Sequence, residues 1–512
     1  MRREGLLLLT CCLFTLIGFG CNKEDDPFLL IEQKNQQLTF NSNGGSLSIP
    51  VNSNYAFNTT LSQPVSWCET TIVGQSVKVF VNRLEEGKNR SVELTVSSKG
   101  KSVVISIHQE AITVKEMTIP IVLTNEALTF SLEITASAPV QFDYPDWIKG
   151  IDIDWAKGTK VYVFEANPYF GKEASRTGTV TVMSKDSSLG FISSLAIHQT
   201  VFTNEAILKL HELWDSSPFL IGTNRKSILA KIEEYSNSLP HTAFQSYLNA
   251  TTTVAEEMEK TNPILSIYRY AFDYVLSQLK SETPEHGSTF IWLLYNMGFI
   301  IKTPSICFGI DLNHRLAVQL EPHLDFICVT HDHADHQSLE LMNAMHQSGK
   351  PVLSNFYMPS RNYHSTSAGH YAIDNVSIRT NITDHDATLK NFTTVFRIDT
   401  GADSGDFTLL HCGDSSFDPS QYTNVDGGSP SLLILRSGTK VENNIIGTGS
   451  GKVNPKNVFL SHLIELRHRI KESPMRFTIM GTLENVPNIS NDNTFVPFWG
   501  EKFIWKEGTL KQ

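Results

Sequence analysis

The sequence predicts a multidomain protein with two all-β sandwich modules, a helical segment and a C-terminal α/β sandwich. Three observations carry this prediction. Residues 30–110 and 111–202 repeat one order of alternating apolar strands, residues 203–285 carry apolar side chains at helical spacing, and residues 286–512 mix both signals. A chain of 512 residues has room for about three domains of ordinary size, and its hydrophobic fraction of 40% is enough to build their cores.

The N-terminus has the pattern of an export signal. Two arginines precede an apolar stretch from Leu6 to Phe19, which is too short to span a bilayer and is followed by Cys21. Residues 1–21 resemble the signal of bacterial lipoproteins, in which the cysteine carries the lipid; the alternative is a plain signal peptide cleaved elsewhere. We expect residues 22–29 to form a linker, and its run from Lys23 to Asp26 resembles a surface-export signal. The resemblance implies an outer-membrane lipoprotein at the surface of a Gram-negative cell, anchored by lipid alone.

The internal repeat predicts two similar β-sandwiches in series. Each copy carries a Trp, an Asn, an Arg and a closing Ile-His-Gln. These residues are Trp67, Asn82, Arg90 and Ile107 to Gln109 in the first copy and Trp147, Asn167, Arg176 and Ile197 to Gln199 in the second. They resemble the BACON module, a β-sandwich of exported proteins from gut anaerobes. The resemblance implies glycan or mucin contact; a spacer between membrane and enzyme is the alternative, and both tryptophans fit a sandwich core better than a sugar platform.

The helical segment and the start of the last domain follow. Ile207, Leu210 and Trp214 begin a pattern of three- and four-residue spacing that extends past Tyr268 and Phe272. We expect a packing layer with these last two in the core; a lid over a site is the alternative. Beyond it, residues 290–302 predict two strands about a turn at Asn296 to Gly298, an apolar strand ends at Asp311, and Ser338 is expected to cap a helix. Four scattered cysteines predict buried thiols rather than a disulfide frame, and they are Cys68, Cys307, Cys328 and Cys412.

The densest chemical motif runs from Thr330 to His336, directly after an apolar strand. Its three imidazoles and two carboxylates are ligand types that suit zinc. A strand that ends in a loop can direct alternate side chains at one ion and the next few at a second, so the spacing indicates two metals. A histidine-rich surface loop is the alternative. Three further candidates follow later apolar strands, and they are His385, Asp414 and His462.

In this order the residues resemble the metallo-β-lactamase-fold hydrolases, whose pattern is HxHxDH, then a lone His, a Gly-Asp and a final His. The resemblance covers about residues 286–512 and implies an α/β sandwich of the metallo-β-lactamase type. Within that family, the segments Trp292 to Gly298 and Val496 to Glu501 are similar to the lactonase-like branch. The resemblance implies that His331, His333 and His385 hold one metal, that Asp335, His336 and His462 hold the other, and that Asp414 bridges both. Two divalent ions are therefore expected, with zinc preferred over manganese or iron.

The implied activity is hydrolysis of a lactone, ester or related bond in a small-molecule substrate by a metal-bound hydroxide, with Asp335 handling the proton. His411 is expected to support the ligands from behind or to be structural, and not to be a ligand itself. Candidates for orienting the imidazoles are Asp332, Asp384, Asp386, Glu465 and His468. The alternatives are a phosphodiesterase or nuclease of the same fold and a glycan-binding adhesin with a vestigial hydrolase domain. The net charge of −11 disfavours nucleic acid as a stable partner.

Overall fold

The computed structural model describes residues 26–512 except 85–87, 112–119, 127, 137–138, 157, 186–190, 438–441 and 473–474. The expected signal peptide and Cys21 lie outside the described residues. The chain is multidomain and mostly β. Its internal contacts divide it into two compact units, one of Met1–Val122, Thr129–Ala166 and Thr177–His198 and the other of Leu123–Leu128, Asn167–Arg176 and Gln199–Gln512. Within the described ranges, no helix combines the length and apolar character needed to cross a bilayer.

The first sandwich contains strands β1 (Leu29–Leu30), β2 (Gln37–Phe40), β3 (Gly45–Pro50), β4 (Asn52–Ser53), β5 (Asn58–Leu61), β6 (Cys68–Val73), β7 (Ser76–Val81), β8 (Arg90–Ser98) and β9 (Lys101–Gln109). They form sheets of order β2-β9-β8-β5 and β3-β7-β6, and β1 pairs with β4. Because side chains alternate along a strand, each sheet buries one face. Val77 and Val79 from one sheet share a core with Leu94 and Ile105 from the other.

The second sandwich contains β10 (Ile121–Leu123), β11 (Leu128–Ala136), β12 (Val140–Asp143), β13 (Ile148–Asp152), β14 (Gly158–Ala166), β15 (Ser175–Ser184) and β16 (Phe191–Thr200). Its sheets have the order β10-β16-β15-β12 and β11-β14-β13. The rings of Phe142 on β12 and Phe164 on β14 meet edge to face, with centroids 5.3 Å apart, so the two sheets pack on each other.

Strand for strand the two sandwiches have the same order, which confirms the internal repeat. The repeated polar residues form the same contacts in both copies. Arg90 Nε donates to Gln109 Oε1 over 2.8 Å and its Nη2 donates to the backbone oxygen of Asn82 over 3.0 Å. Arg176 binds Gln199 and the backbone oxygen of Asn167 in the same way, over 3.0 and 2.7 Å. The Asn, Arg and Gln of the repeat are therefore structural residues that hold strand ends together.

The helical segment consists of α1 (Glu205–Trp214), α2 (Thr223–Ser238), α3 (His241–Leu248), α4 (Thr252–Thr261) and α5 (Pro263–Ser281). Asn204 caps α1 by accepting from the backbone nitrogen of Ile207. Tyr268 and Phe272 are buried, as expected, and the Tyr268 ring lies edge-on to Tyr295 with centroids 4.9 Å apart. The prediction that these two residues lie in the core is confirmed, and the role of the whole segment stays a prediction.

The remaining chain forms β17 (Ser288–Tyr295), β18 (Gly298–Lys302), β19 (Cys307–Ile310), β20 (Phe326–Cys328), α6 (Leu339–Gln347), β21 (Val352–Leu353), β22 (Gly369–Ile373), β23 (Val376–Thr383), β24 (Thr393–Asp399), β25 (Thr408–His411), β26 (Leu432–Arg436), β27 (Val458–Ser461), α7 (Ile479–Asn485), β28 (Thr494–Phe495), β29 (Lys502–Lys506) and β30 (Thr509–Lys511). Two seven-stranded sheets result, of order β21-β20-β19-β18-β17-β29-β30 and β22-β23-β24-β25-β26-β27-β28. Short 3-10 helices occupy Gln33–Asn35, Ala317–His323, Arg361–Tyr363, Ala402–Ser404, Pro419–Gln421, Glu442–Ile445 and Val486–Asn488.

The two seven-stranded sheets pack against each other. Phe299 of the first sheet and Leu409 and Phe459 of the second belong to one buried core. On the other face of the first sheet, Trp292 packs with Phe272 of α5 and with side chains of α6. Because strands such as β18 and β26 are buried on both faces, their sequences are nearly continuous apolar runs without alternation of apolar and polar residues.

Several local predictions are confirmed. Tyr295 pairs with Gly298 across the predicted turn. Asp311 directly follows β19, and Ser338 caps α6 by accepting from the backbone nitrogen of Leu341 over 3.4 Å. The four cysteines are free and buried.

Candidate metal centre

Strand direction brings the predicted ligands to one edge of the fold. Strands β19, β20 and β21 run parallel, as do β25, β26 and β27. The carboxyl ends of parallel strands meet at the same edge of a sheet, and side chains in the following loops converge there. The motif that starts at Thr330 follows β20, Asp414 follows β25 and His462 follows β27.

A first group consists of His331, His333 and His385, whose ligand nitrogens lie within 4.8 Å of one another. His331 is fully buried and the other two are half-buried. Thr330 Oγ1 donates its one hydrogen to Asp311 Oδ2 over 2.7 Å, so it accepts from His331 Nδ1 over 2.9 Å. That contact fixes the tautomer of His331 and leaves its Nε2 unprotonated, 3.0 Å from His333 Nδ1, where it could bind a metal.

A second group consists of Asp335, His336 and His462. Asp335 Oδ2 lies 3.2 Å from His462 Nε2 and 3.5 Å from His336 Nε2. His336 Nδ1 lies 2.9 Å from Asp311 Oδ2, so this ring also presents Nε2 to the site. All three ligand side chains are buried.

Asp414 lies between the two groups. Its Oδ2 is 3.5 Å from His385 Nε2 of the first group and 3.4 Å from His462 Nε2 of the second. Its Oδ1 is 3.5 Å from His336 Nε2. The predicted ligands are therefore brought together, with the carboxylate of Asp414 in contact with both sets of imidazoles.

The spacing and the unpaired atoms fit a metal. Two ligand atoms that are each about 2.0–2.1 Å from a tetrahedral zinc lie roughly 3.3 Å apart, and the contacts around Asp335 and Asp414 measure 3.2 to 3.5 Å. Among the described residues, four buried ligand atoms have no hydrogen-bond partner, and they are His336 Nε2, His385 Nε2, His462 Nε2 and Asp414 Oδ1. Buried polar atoms rarely remain unpaired, so these atoms fit the ligand positions of a cation.

The two ligand groups differ in the pKa values of their histidines. Burial, with His336 nearby, holds the pKa of His331 well below its usual range, which keeps this ring neutral. Burial acts the same way on His462, but Asp414 and Asp335 outweigh it and raise the pKa to about 9. Burial works against ionisation of Asp414, yet His462, His336 and Arg436 hold its pKa well below the usual range. The carboxylates of Asp335 and Asp414 thus stabilise positive charge at this side of the site, which a bound cation would also supply.

Near the site, Asn296, Asp311 and His462 have positive φ without being glycine, at 53°, 51° and 67°. Such conformations cost free energy and persist where surrounding contacts impose them. Asn296 Nδ2 donates to the backbone oxygen of Asp335 over 3.0 Å, and Ser461 Oγ donates to the backbone oxygen of Asn296 over 2.6 Å. The β17–β18 turn therefore ties together two of the ligand loops.

The residues predicted to orient the imidazoles have different positions. Asp386 Oδ2 lies 3.3 Å from His385 Nδ1. Glu465 is buried, accepts from Tyr295 Oη over 2.7 Å and lies 2.8 Å from His468 Nδ1. Asp332 is exposed and binds Gln337, and Asp384 binds Lys390 and the backbone of Asn391.

His411 has a structural contact, as expected. Its Nε2 donates to the backbone oxygen of Met297 over 3.0 Å, and its Nδ1 accepts from the backbone nitrogen of Gly413. Sequence reasoning did not assign roles to Asp311, Thr330 or Asn296, which the fold places directly against ligand residues. Asp311 alone had a local signal, because it ends an apolar strand.

A cleft of about 530 Å³ opens onto the site. This volume suits a small molecule. It is lined by His333, Ala334, Asp335, His385, Asp414, Arg436, His462, Arg467, His468, Met475 and Phe477. The lining contains no residue of the helical segment, so a lid role for that segment finds no support in the described part of the chain. The two arginines were not anticipated from the sequence.

Comparison with known proteins gives little beyond this geometry. No family model and no curated protein matches the chain. A xyloglucanase of Bacteroides ovatus is 23% identical over 19% of this chain and 22% of its own length, with a TM-score of 0.16. Igni18, a metallo hydrolase from Ignicoccus hospitalis, is 14% identical over 43% of this chain and 99% of its own, with a TM-score of 0.31. A protein from Bacteroides thetaiotaomicron is 19% identical over 18% of this chain and 96% of its own, with a TM-score of 0.15. At such TM-scores, none of these likenesses supports an assignment.

Proposed function

We propose that the C-terminal part of the chain is a dinuclear metal-dependent hydrolase of the metallo-β-lactamase type, which cleaves a lactone, ester or related bond in a small molecule. One observation carries the proposal. The carboxylate of Asp414 lies within 3.5 Å of imidazole nitrogens from both ligand groups. A carboxylate in this position could bridge two neighbouring ions.

Each ligand residue then has a defined role. His331, His333 and His385 would hold one ion, Asp335, His336 and His462 the other, and Asp414 both. Zinc is the expected metal because imidazole and carboxylate ligands suit it, with manganese or iron as alternatives. Divalent ions at these positions would lower the pKa of a bound water and supply hydroxide at neutral pH.

Asp335 is proposed to handle the proton. It lines the cleft, and its backbone oxygen accepts a hydrogen bond from Asn296 Nδ2. Burial works against ionisation of Asp335, but His336 and His462 hold its pKa far below the usual range, so the group stays ionised and able to orient water.

The test is metal analysis and a substrate panel on the zinc-loaded full chain. We expect about two ions per chain and hydrolysis of at least one lactone, ester or phosphodiester. Asp414→Ala should lose both ions, and the matched control Asp332→Ala, in an exposed side chain of the same motif, should keep them. A wild-type protein that retains no ion and hydrolyses nothing would refute the proposal. Loss of one ion alone would refute the bridging role.

We also propose that Cys21 carries a lipid anchor that holds the protein at the outer surface of a Gram-negative cell. The two sandwiches would then act as a spacer, with glycan contact as the alternative. Cys21→Ala should release the protein into the soluble fraction, because a lipid chain contributes about 0.8 kcal/mol for each buried CH₂. Membrane association that survives the substitution would rule the anchor out.

A further inference from the structure

We infer that the substrate carries a carboxylate or phosphate group, which Arg436 and Arg467 bind in the metal cleft. This inference rests on the proposed hydrolase function and narrows its substrate class. Both arginines line the cleft alongside the candidate metal ligands. They come from separate elements, since Arg436 ends β26 and Arg467 lies in the loop after β27.

Both guanidinium groups have more donors than partners. A guanidinium has five N–H donors. Arg436 lies 3.5 Å from Asp414 Oδ2 and 3.5 Å from the backbone oxygen of Ser415, and its Nε is buried without a hydrogen-bond partner. Arg467 Nη2 is 3.5 Å from Asn313 Oδ1, and its Nε is likewise buried and unpaired. The contacts that exist are at the long limit of a hydrogen bond, so strong acceptors are still needed.

With two divalent ions bound, the ionised groups of the site would carry a net positive charge. Five carboxylates lie in the site or directly behind it, on Asp311, Asp335, Asp386, Asp414 and Glu465. Two divalent ions would balance four of them, and the fifth would balance one of the two guanidinium groups. One guanidinium charge then has no counterion in the site and favours an anionic ligand.

The shape of the cleft limits the ligand further. Met475 and Phe477 contribute an apolar wall next to the polar residues. A small molecule with an anionic group and an apolar part therefore matches the lining better than a neutral sugar. A guanidinium presents paired donors that fit the two oxygens of a carboxylate or a phosphate.

Calorimetric titration of the zinc-loaded full chain tests this inference. The probes are phenylphosphonate and phenylacetate, with benzyl alcohol as the neutral comparator, and their relative affinities distinguish a phosphate site from a carboxylate site. We expect wild type to bind at least one anion more tightly than the alcohol. Arg436→Gln and Arg467→Gln should each weaken that binding by about 10-fold or more. The matched control is Arg469→Gln, an arginine that is half-exposed and paired with Glu472, and it should retain wild-type affinity.

Metal analysis and the same titrations on metal-free protein distinguish failure of this inference from failure of the proposed hydrolase function. If the anions bind through the metals alone, binding disappears on metal removal and does not respond to the arginine substitutions. That result overturns this inference and leaves the hydrolase proposal intact. Equal affinity for anion and alcohol also overturns it. If no protein holds zinc or hydrolyses the panel, the proposed function fails. The arginine-dependent affinity of the metal-free protein then decides the anion site by itself.

Discussion

Gly413 shows how closely the residues around the candidate centre approach each other. Its φ is 51°, and an added Cβ would lie 2.7 Å from Cβ of Thr330. Thr330 in turn sets the tautomer of His331 through its hydroxyl. A side chain at position 413 would therefore displace the residue that orients a ligand. In the Gly-Asp pair, Gly413 permits the positive φ and the close approach to Thr330, and Asp414 is the candidate ligand.

Asp335→Asn tests the proposed proton-handling group while preserving side-chain size. We expect turnover on any substrate found in the panel to fall at least ~10²-fold, because an amide neither ligates as strongly nor accepts a proton. Asp332→Asn is the matched control, since its side chain is exposed three residues earlier, and it should retain activity. Steady-state kinetics with both variants at full zinc occupancy provide the measurement. Equal turnover of the two variants would remove Asp335 from the mechanism.

His314 predicts a pH dependence of stability that is separate from catalysis. Its ring is stacked between Tyr268 and Phe272, with centroids 3.9 and 4.2 Å away, and burial holds its pKa well below the usual range. The unfolded chain binds a proton at this residue below about pH 6.5, whereas the folded chain does not, so stability is lost as the pH falls. His314→Gln should reduce the slope of unfolding free energy against pH, by at most about 1.4 kcal/mol per unit. An unchanged slope between pH 7 and 5 would contradict this.

At the scale of elements, the β17–β18 turn connects otherwise separate loops. Asn296 binds the motif loop and the end of β27, and Met297 accepts from His411 at the end of β25. The turn thus contacts loops from both seven-stranded sheets. A hairpin far from the ligands in sequence therefore helps to hold the candidate site in place.

Helix α2 is held to the C-terminal segment by a buried ion pair. Arg225 Nη1 and Nη2 lie 2.7 and 2.9 Å from the carboxylate of Glu501, and both side chains are inaccessible to solvent. Arg225→Met should lower the free energy of unfolding by about 3–5 kcal/mol, because it leaves a buried carboxylate unpaired. Denaturant unfolding measures the loss.

Two comparisons make that prediction specific. Adding Glu501→Leu to Arg225→Met should recover part of the stability, since the unpaired charge is then gone. Lys231→Met, on the same helix but in an exposed pair with Glu234, should have little effect because water screens the pair. If Arg225→Met alone is as stable as wild type, the ion pair does not stabilise the fold.

At the scale of the whole molecule, the sign of the net charge does not describe the cleft, and the compact units are not continuous in sequence. The chain carries a net charge of −11, yet the cleft contains two arginines with spare donors. The larger compact unit includes residues 123–128 and 167–176 as well as 199–512. Phe170 belongs to this unit, and its ring lies edge-on to Tyr270 and Tyr274, with centroids 5.3 and 5.8 Å away.

Because the larger unit includes these two short segments, its thermal stability should depend on where the chain is truncated. A fragment of residues 203–512 lacks the two short segments, whereas a fragment of residues 111–512 keeps them. We expect the shorter fragment to melt about 2–8 °C below the longer one, because lost aromatic packing of ~1–2 kcal/mol shifts Tm by about 2–4 °C per kcal/mol. Zinc content should be equal in both. Identical melting temperatures would show that the short segments do not contribute to stability.

The sequence by itself determined the features that local patterns encode. Apolar alternation and turn residues predicted the repeated sandwiches, helical spacing predicted the layer with Tyr268 and Phe272 in its core, and the order of histidines and aspartates predicted the candidate ligands. The strand and helix predictions were confirmed because a strand or a helix is specified mostly by neighbouring residues, whereas the metal-binding roles of the candidate ligands stay predictions. The expected lipid anchor, glycan contact and domain boundaries stay predictions.

Only the tertiary structure decided which distant residues complete the site. Asn296, Arg436 and Arg467 have no local signature that marks them as partners of the ligand loops, and Asp311 is marked only by its place at the end of an apolar strand. Their proximity to the ligands depends on strand order and on strained turns. Asp414 lies between the two ligand groups only because parallel strands end at one edge of the sheets. Sheet pairing joins residues that are far apart in the chain, and this long-range register is the information that a local reading of the sequence lacks.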